Sequence, residues 1–450
     1  MPIRGVLILA FFVVSLPVCF FRPFYGVLLW SVVAFLNPQS SLKYWYIASA
    51  FPWAEAVAIP TLCGFAIFSP GWLSRLGSPQ IRLMAVLWIW FTITSLVSVN
   101  TPLFAHHAQD TWTQWEVVSK VLVMTVVTIA LVDSFAHLRI LVMVIAGCFG
   151  ILVLKSLPFI VMTGGAYRLY GPEYSAISDN NDFGLALNMT LPLFFFLAQT
   201  ESKPWLKRLF GFLFVATIPA IFCTYSRGAL VGLTATLGLM VLRLKQRVAL
   251  VPIVILAAVA AFLFAPDAWK ERMNPQQGLD GSALERLNAW TFSWNVAMDY
   301  PVAGGGFRTF TPELFQRYAP AVQDVRGPHS VYFGVLAEHG FVGLVLYLVL
   351  VVSCFATAHR LLKKARICGD QTVTYYANMF RFSLVAFLIS GLFLGRAYFD
   401  YYFSIVACLV ILDRVAHREW ARSSGEDAEV LPVSAADEVV GLTTADLQRG

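Results

Sequence analysis

The chain has 450 residues, 58% of them hydrophobic and 13% charged, with a mean hydropathy of +0.70. That balance excludes a soluble globular domain. The formal net charge of +6 gives no nucleic-acid signature either, because no segment joins dense Lys/Arg to soluble character. Apolar runs recur along almost the whole length, and about 20 such residues cross a bilayer as a helix. Lipid offers no water to unpaired backbone groups, so unbroken runs specify helices rather than alternating barrel strands.

In chain order, apolar segments fall at 5–21, 24–38, 48–68, 81–99, 115–132, 138–160, 183–199, 206–224, 228–243, 248–265, 331–357, 379–395 and 398–413. The first, preceded by Arg4, has the look of a signal peptide; another apolar segment follows at once and no small-residue cleavage site is clear, so it reads as uncleaved. Basic loops at 69–83, 133–139, 201–208, 243–247 and 358–368, and the segment after Asp413, are assigned to the cytoplasm by the positive-inside rule. The loops at 100–114, 161–182, 225–227, 266–330 and 396–397 then lie outside. Three segments ahead of 69–83 would put Met1 outside, whereas Arg4 argues for inside. One of the three is therefore expected to be short or re-entrant, and 24–38, between Pro23 and Pro38, is the weakest. The expectation is an all-α polytopic membrane protein of about twelve transmembrane helices; thirteen with an outer Met1 is the alternative.

Four regions follow: a bundle at 1–265, a large outer loop at 266–330, further membrane helices at 331–415, and a tail at 416–450 whose acidic end from Ser423 is expected to be disordered. Within the loop, SALERLNAWTFSWNVAMDY sets Leu284, Leu287, Trp290 and Trp294 on one helical face, as in a helix lying on the outer surface of the bundle. Six of the seven cysteines lie in apolar segments and Cys368 in a basic loop, which gives no disulfide framework or zinc spacing.

Cations on the expected outer half are candidates for ligand binding, since charge there is expensive. Lys120 and Lys155 can equally snorkel to the headgroups. Arg227 sits at a turn where two helices meet, and arginine binds phosphate in bidentate fashion. Arg168, Arg286, Arg308 and Arg326 add positive charge on the outer loops, where each can also be simply solvated. Gly228 and Gly232 read as close helix packing.

His329 closes the long loop where it meets an apolar segment, and an imidazole with a free pKa near ~6.5 suits proton transfer at neutral pH. Glu338 lies about 13 Å deeper along an unbroken helix and must be paired or line a polar cavity; His339 faces away by about 100° and reads as structural. His106 and His107 look like a metal pair but have only Asp110 at coordinating spacing. In SDNND, Asn180, Asn181 or Asp182 is expected to cap the next helix. Asp400 is a further buried acid.

Many spans, a large late outer loop, Ser226-Arg227-Gly228 before a mid-chain helix, and His329 followed by Glu338, Gly340 and Gly343 together resemble the bacterial O-antigen ligase and polymerase superfamily. The resemblance covers roughly residues 160–410, and FRPFYGVLLW and FLNPQS are similar to members that act as O-glycosylation ligases. It implies a GT-C-like glycosyltransferase of the bacterial inner membrane with a site facing the periplasm. Such an enzyme takes a glycan from undecaprenyl diphosphate and joins it, with inversion, to a hydroxyl. The acceptor is the lipid A core sugar for a ligase, the leading reading, a growing glycan for a polymerase, or a protein serine for an oligosaccharyltransferase.

The resemblance also implies roles without a metal or other cofactor. His329 is the base, and Arg227, also catalytic, joins Arg168, Arg308 and Arg326 in holding the diphosphate; Glu338, Tyr170 and Asp400 support them. Metal-using multi-span transferases are similar in carrying an acidic pair on the first outer loop, whereas 100–114 holds only Asp110. A transporter of lipid-linked sugars is the competing class. It is disfavoured by the lack of an internal repeat and by charges gathered toward one face instead of the midplane.

Overall fold

The computed structural model describes residues 3–38, 51–243, 251–252, 255–256, 269 and 281–424. The expected segment 248–265 and the 266–280 part of the long loop lie largely outside these residues, and the tail beyond 424 lies wholly outside them. Among the described residues there are fourteen helices and no strand. They are α1 (Ile3–Phe21), α2 (Pro23–Leu36), α3 (Trp53–Phe68), α4 (Pro79–Val99), α5 (Ala108–Leu131), α6 (Phe135–Thr163) and α7 (Asn180–Thr200), followed by α8 (Pro204–Cys223), α9 (Arg227–Arg243), α10 (Gly281–Asp299), α11 (Pro312–Tyr318), α12 (Val331–Ile367), α13 (Gln371–Ser390) and α14 (Asp400–Ser424). Seven of them, α4 to α8, α12 and α13, are long and apolar enough to cross a membrane, and α1 to α3 are shorter apolar helices. The chain is an all-α polytopic membrane protein.

The bundle is built around α7. Every residue from Asp182 to Leu197 is buried, as expected of a helix that is apolar all round. It packs against α8 and α13, where Ser383 donates to the Met189 carbonyl at 2.8 Å. At one end of the bundle, here the lower, the Arg414 guanidinium donates to the Ile129 carbonyl at 2.8 Å and to that of Val132, closing the C-terminus of α5. The upper end carries the segment 300–330.

Two corrections concern the chain ends. Segment 24–38 does not double back. Phe24 stacks on His137 at the start of α6, with centroids 4.2 Å apart, and Asn37 donates to the Glu173 carbonyl at 2.8 Å, so α2 passes from the lower to the upper end. It is short, as expected, its 14 residues making a helix of only ~21 Å. Since Phe20 and Phe21 pack on Phe68 while Phe12 packs on Trp53, α1 runs parallel to α3 and starts toward the upper end. The last helix, in turn, extends past residue 415 to Ser424, because Val415, Ala416 and Trp420 remain buried.

The amphipathic stretch forms α10, with its packed face turned from the expected one. Ala289, Phe292 and Val296 are buried against Phe104, Leu314, Phe315 and Tyr318. Leu284, Leu287 and Trp294 are about half exposed on the other side. The aromatic Phe292, fully buried, forms the nucleus of this small upper core and decides which face turns inward.

The feature that joins this upper layer to the bundle is a break in α12 at Gly340, where φ is 67° and ψ −172°. An unbroken helix would direct the Phe341 N–H to the Ala337 carbonyl. Instead Gly305 N–H donates to Ala337 at 2.8 Å, Gly306 N–H to the Glu338 carbonyl at 2.9 Å, and Phe341 N–H to Pro301 at 2.8 Å. The Trp90 indole takes the next carbonyl, that of His339, at 3.2 Å. The Phe341 N–H and the carbonyls of Ala337, Glu338 and His339 are thus matched at the break, as burial requires. Glu338, ahead of the break, lies level with the loop 301–308, whose Gly306 and Arg308 amides it accepts. A Cβ on Gly340 would stand 2.5 Å from the Val302 carbonyl oxygen and 2.6 Å from that of Pro301. Gly340→Ala is therefore expected to cost about 2–3 kcal/mol or more, from left-handed strain and displaced backbone. Thermal unfolding in detergent checks this. Gly147→Ala, whose Cβ meets nothing within 4 Å, should leave the midpoint in place, and an equally small effect at Gly340 would contradict the interlock.

Candidate active site

The turn between α8 and α9 sets out the first cation. Tyr225 takes a left-handed φ of 56°, and the Ser226 hydroxyl accepts the Ala229 N–H at 3.2 Å, capping α9. Arg227 is thereby the first residue of α9. Gly228 has no room for a Cβ, which would stand 2.8 Å from the Phe393 Cβ, so α9 closes directly on the loop 391–399. Arg227 and Arg286, from α10, line one cavity of about 240 Å³ with Leu287, Trp290 and Phe393.

His329 is held beside that cavity from three sides. The Trp290 indole N–H donates to the Pro328 carbonyl at 2.8 Å, and its ring stacks on Phe333 with centroids 5.0 Å apart. Val331 N–H donates to the Gly391 carbonyl at 2.8 Å, and a Cβ on Gly395 would lie 3.3 Å from the His329 backbone. His329 itself takes φ 43°, a strained conformation for a residue with a side chain, of the kind that clusters at functional sites. Burial holds its imidazole below the ordinary histidine value; the charges of Arg286 and Arg326 act in the same sense, and Asp179 and Glu285 oppose them. Its neutral form, able to accept a proton, is therefore favoured at neutral pH.

The remaining expected site residues divide. Arg168 is exposed, but Leu169 N–H donates to the Cys223 carbonyl at 2.8 Å and the Tyr225 hydroxyl to the Gly165 carbonyl at 2.9 Å, which brings this loop onto the Tyr225 turn beside Arg227. Tyr170 on the same loop is exposed. Arg326 acts electrostatically on His329 and is paired with Glu285 at 3.6 Å. Arg308 stands apart from the cavity: its Nε donates to Gln114 Oε1 at 3.0 Å.

Glu338 is buried and paired. Its carboxylate accepts the Arg308 backbone N–H at 2.9 Å and the Tyr398 hydroxyl at 2.6 Å, and so ties the two upper loops together. His339 packs among Phe91 and Phe307, its Nδ1 2.7 Å from the Thr94 hydroxyl. Asp400 lines a separate small cavity inside the bundle.

Two charged partners of the site were not singled out from sequence. Arg286 is one of several loop cations in the sequence, and α10 brings it to the cavity that Arg227 also lines. Arg396 forms an ion pair of 2.6 Å with Asp182 at the top of α7. An arginine in a short loop facing an SDNND run was the available signal, and that run was read as a cap. The cap is Asp179, which accepts the Asn181 N–H at 2.8 Å, because Asn180 is turned away to donate to the Thr224 carbonyl at 2.7 Å. Among the described residues no group of three or more His, Cys, Asp or Glu could hold a metal. His106 lies 2.9 Å from the Thr311 hydroxyl and His107 3.3 Å from the Gly305 carbonyl, so both bind the upper loop.

Residues 212–348 match the model of a family described as O-antigen ligase, and residues 3–201 match that of a family of unknown function. No curated protein matches the chain. The O-antigen ligase match thus covers residues 212–348 of this membrane protein, the part of the chain that holds Arg227, Arg286 and His329.

Proposed function

We propose that the chain is a periplasm-facing glycosyltransferase of the bacterial inner membrane. It transfers a glycan from undecaprenyl diphosphate to an acceptor hydroxyl, that of a lipid A core sugar. The observation that carries this reading is that Arg227 and Arg286 line one cavity, with His329 beside it. A diphosphate leaving group develops negative charge as its bond to the anomeric carbon breaks, and two guanidinium groups fixed at a low-dielectric cavity stabilise that charge without reorganisation. His329 accepts the acceptor's proton as the hydroxyl oxygen attacks the anomeric carbon from the opposite side, which inverts it. Arg168 and Arg326 extend the positive field over the donor; Glu338 acts at a distance, by holding the loops. The half-exposed apolar face of α10, with Leu284, Leu287 and Trp294, suits an acceptor anchored in a lipid surface.

Transfer measured with purified protein, lipid-linked glycan and lipid A core tests this. His329→Ala is expected to lower the rate by about 10²–10⁴-fold, and Arg227→Ala or Arg286→Ala by about 10²–10³-fold with the fold retained. Full activity in His329→Ala would refute the assignment. EDTA should leave the rate unchanged, since guanidinium charge stands where a divalent ion would; a rate restored only by manganese would contradict that part.

The pH profile gives an independent check. A base must be unprotonated, so kcat/KM falls as pH drops through the folded pKa of His329. Because that pKa is lowered, the acid limb is expected below the ordinary value of about 6.5. Removing the Arg286 cation favours imidazolium, so Arg286→Gln should move the limb upward. A wild-type limb above 7, or one that Arg286→Gln leaves in place, goes against His329 as the base.

A further inference from the structure

A second cavity lies inside the bundle, away from the arginines and His329, between α2, α5, α6 and α14. It holds about 10 Å³ and is lined by Ser31, Thr125, Thr128, Asp400 and Ser404 together with apolar side chains. That is room for about one water-sized particle. Each hydroxyl commits its proton to its own helix: Ser31 to the Val27 carbonyl at 3.0 Å, Thr125 to Val121 at 2.7 Å, Thr128 to Met124 at 2.7 Å and Ser404 to Asp400 at 2.9 Å. The oxygens therefore offer only lone pairs to the cavity.

Asp400 adds a carboxylate, of which one oxygen accepts the Tyr401 N–H at 2.8 Å. Among the described residues Asp400 makes no ion pair, and Arg396, the cation of the preceding loop, is committed to Asp182 at 2.6 Å. Apart from the Trp30 indole N–H, the polar groups lining the cavity are all acceptors, and a carboxylate among them is costly to leave uncompensated. A water would bring two protons to five acceptor groups and no charge. One carboxylate with neutral hard oxygen ligands suits a small cation of single charge, since divalent ions recruit more carboxylates or keep their own waters.

We propose that this cavity binds one sodium ion, with Asp400 as the charged ligand and the hydroxyl oxygens of Ser31, Thr125, Thr128 and Ser404 as neutral ones. The ion neutralises the Asp400 carboxylate and fastens the start of α14 to α2 and α5, directly below the loop 391–399 that backs His329.

Equilibrium binding of radiolabelled sodium to the purified full chain in detergent, in N-methylglucamine buffer, tests the site. The expected result is saturable binding near one ion per chain, displaced by unlabelled sodium, abolished in Asp400→Asn and weakened in Thr125→Val/Thr128→Val. The valine pair removes only neutral ligands, so it decides the matter even where Asp400→Asn does not fold. Thermal unfolding run in parallel should show a saturable upward shift with sodium that the valine pair reduces. No saturable binding by the wild type, the outcome if a water or a proton on Asp400 fills the need, overturns the proposal. So does binding of undiminished affinity in the valine pair.

Discussion

The exchange of backbone hydrogen bonds at Gly340 is the constraint on which the upper half of the molecule depends. A helix entering a membrane bundle cannot leave amides and carbonyls unpaired, because no water reaches them and each costs several kcal/mol. Here the break is permitted because the loop 301–306 supplies the missing partners, and the loop is in turn fixed because only those partners satisfy it. Glycines at 304 and 340 are required on both sides, since a Cβ on either would fall within 2.7 Å of the opposing backbone. Glu338 completes the junction by accepting from both Arg308 and Tyr398.

That junction has a consequence for the chemistry. The residues ahead of the break in α12 are tied to the loop 301–308, and His329 lies beside the place where α9, α10 and the loop 391–399 meet. Two ion pairs, Arg326 with Glu285 and Arg396 with Asp182, lie around the same region. Burial and the Arg286 charge then favour the neutral imidazole. His329 is thus positioned by backbone hydrogen bonds and aromatic stacking, neither of which depends on a bound ligand.

Much of this was legible in the sequence, and the misses have physical causes. Hydropathy specified the helices found among the described residues, and the order Ser226, Arg227, Gly228, then His329, Glu338 and Gly340 carried the resemblance that the match at 212–348 supports. Periodicity alone could not say which face of α10 packs, because Leu287 and Trp294 are as apolar as Phe292; the choice depends on Phe104 and Phe315, distant in sequence. Nor could spacing reveal the break in α12, since a 3.6-residue period runs through Gly340 unaltered while its φ does not. Arg286 and Arg308 look alike as loop cations. One lines the cavity and the other turns to Gln114, a difference set wholly by tertiary packing.

The central claim is that the arginines of α9 and α10 bind the diphosphate while His329 faces the reacting carbon. A cryo-EM structure of the protein with an undecaprenyl diphosphate-linked sugar tests it most directly. The account predicts diphosphate density between Arg227 and Arg286, with the His329 ring turned toward the anomeric carbon. Diphosphate seated instead against Arg308 and Gln114, with the Arg227–Arg286 cavity vacant, would contradict it.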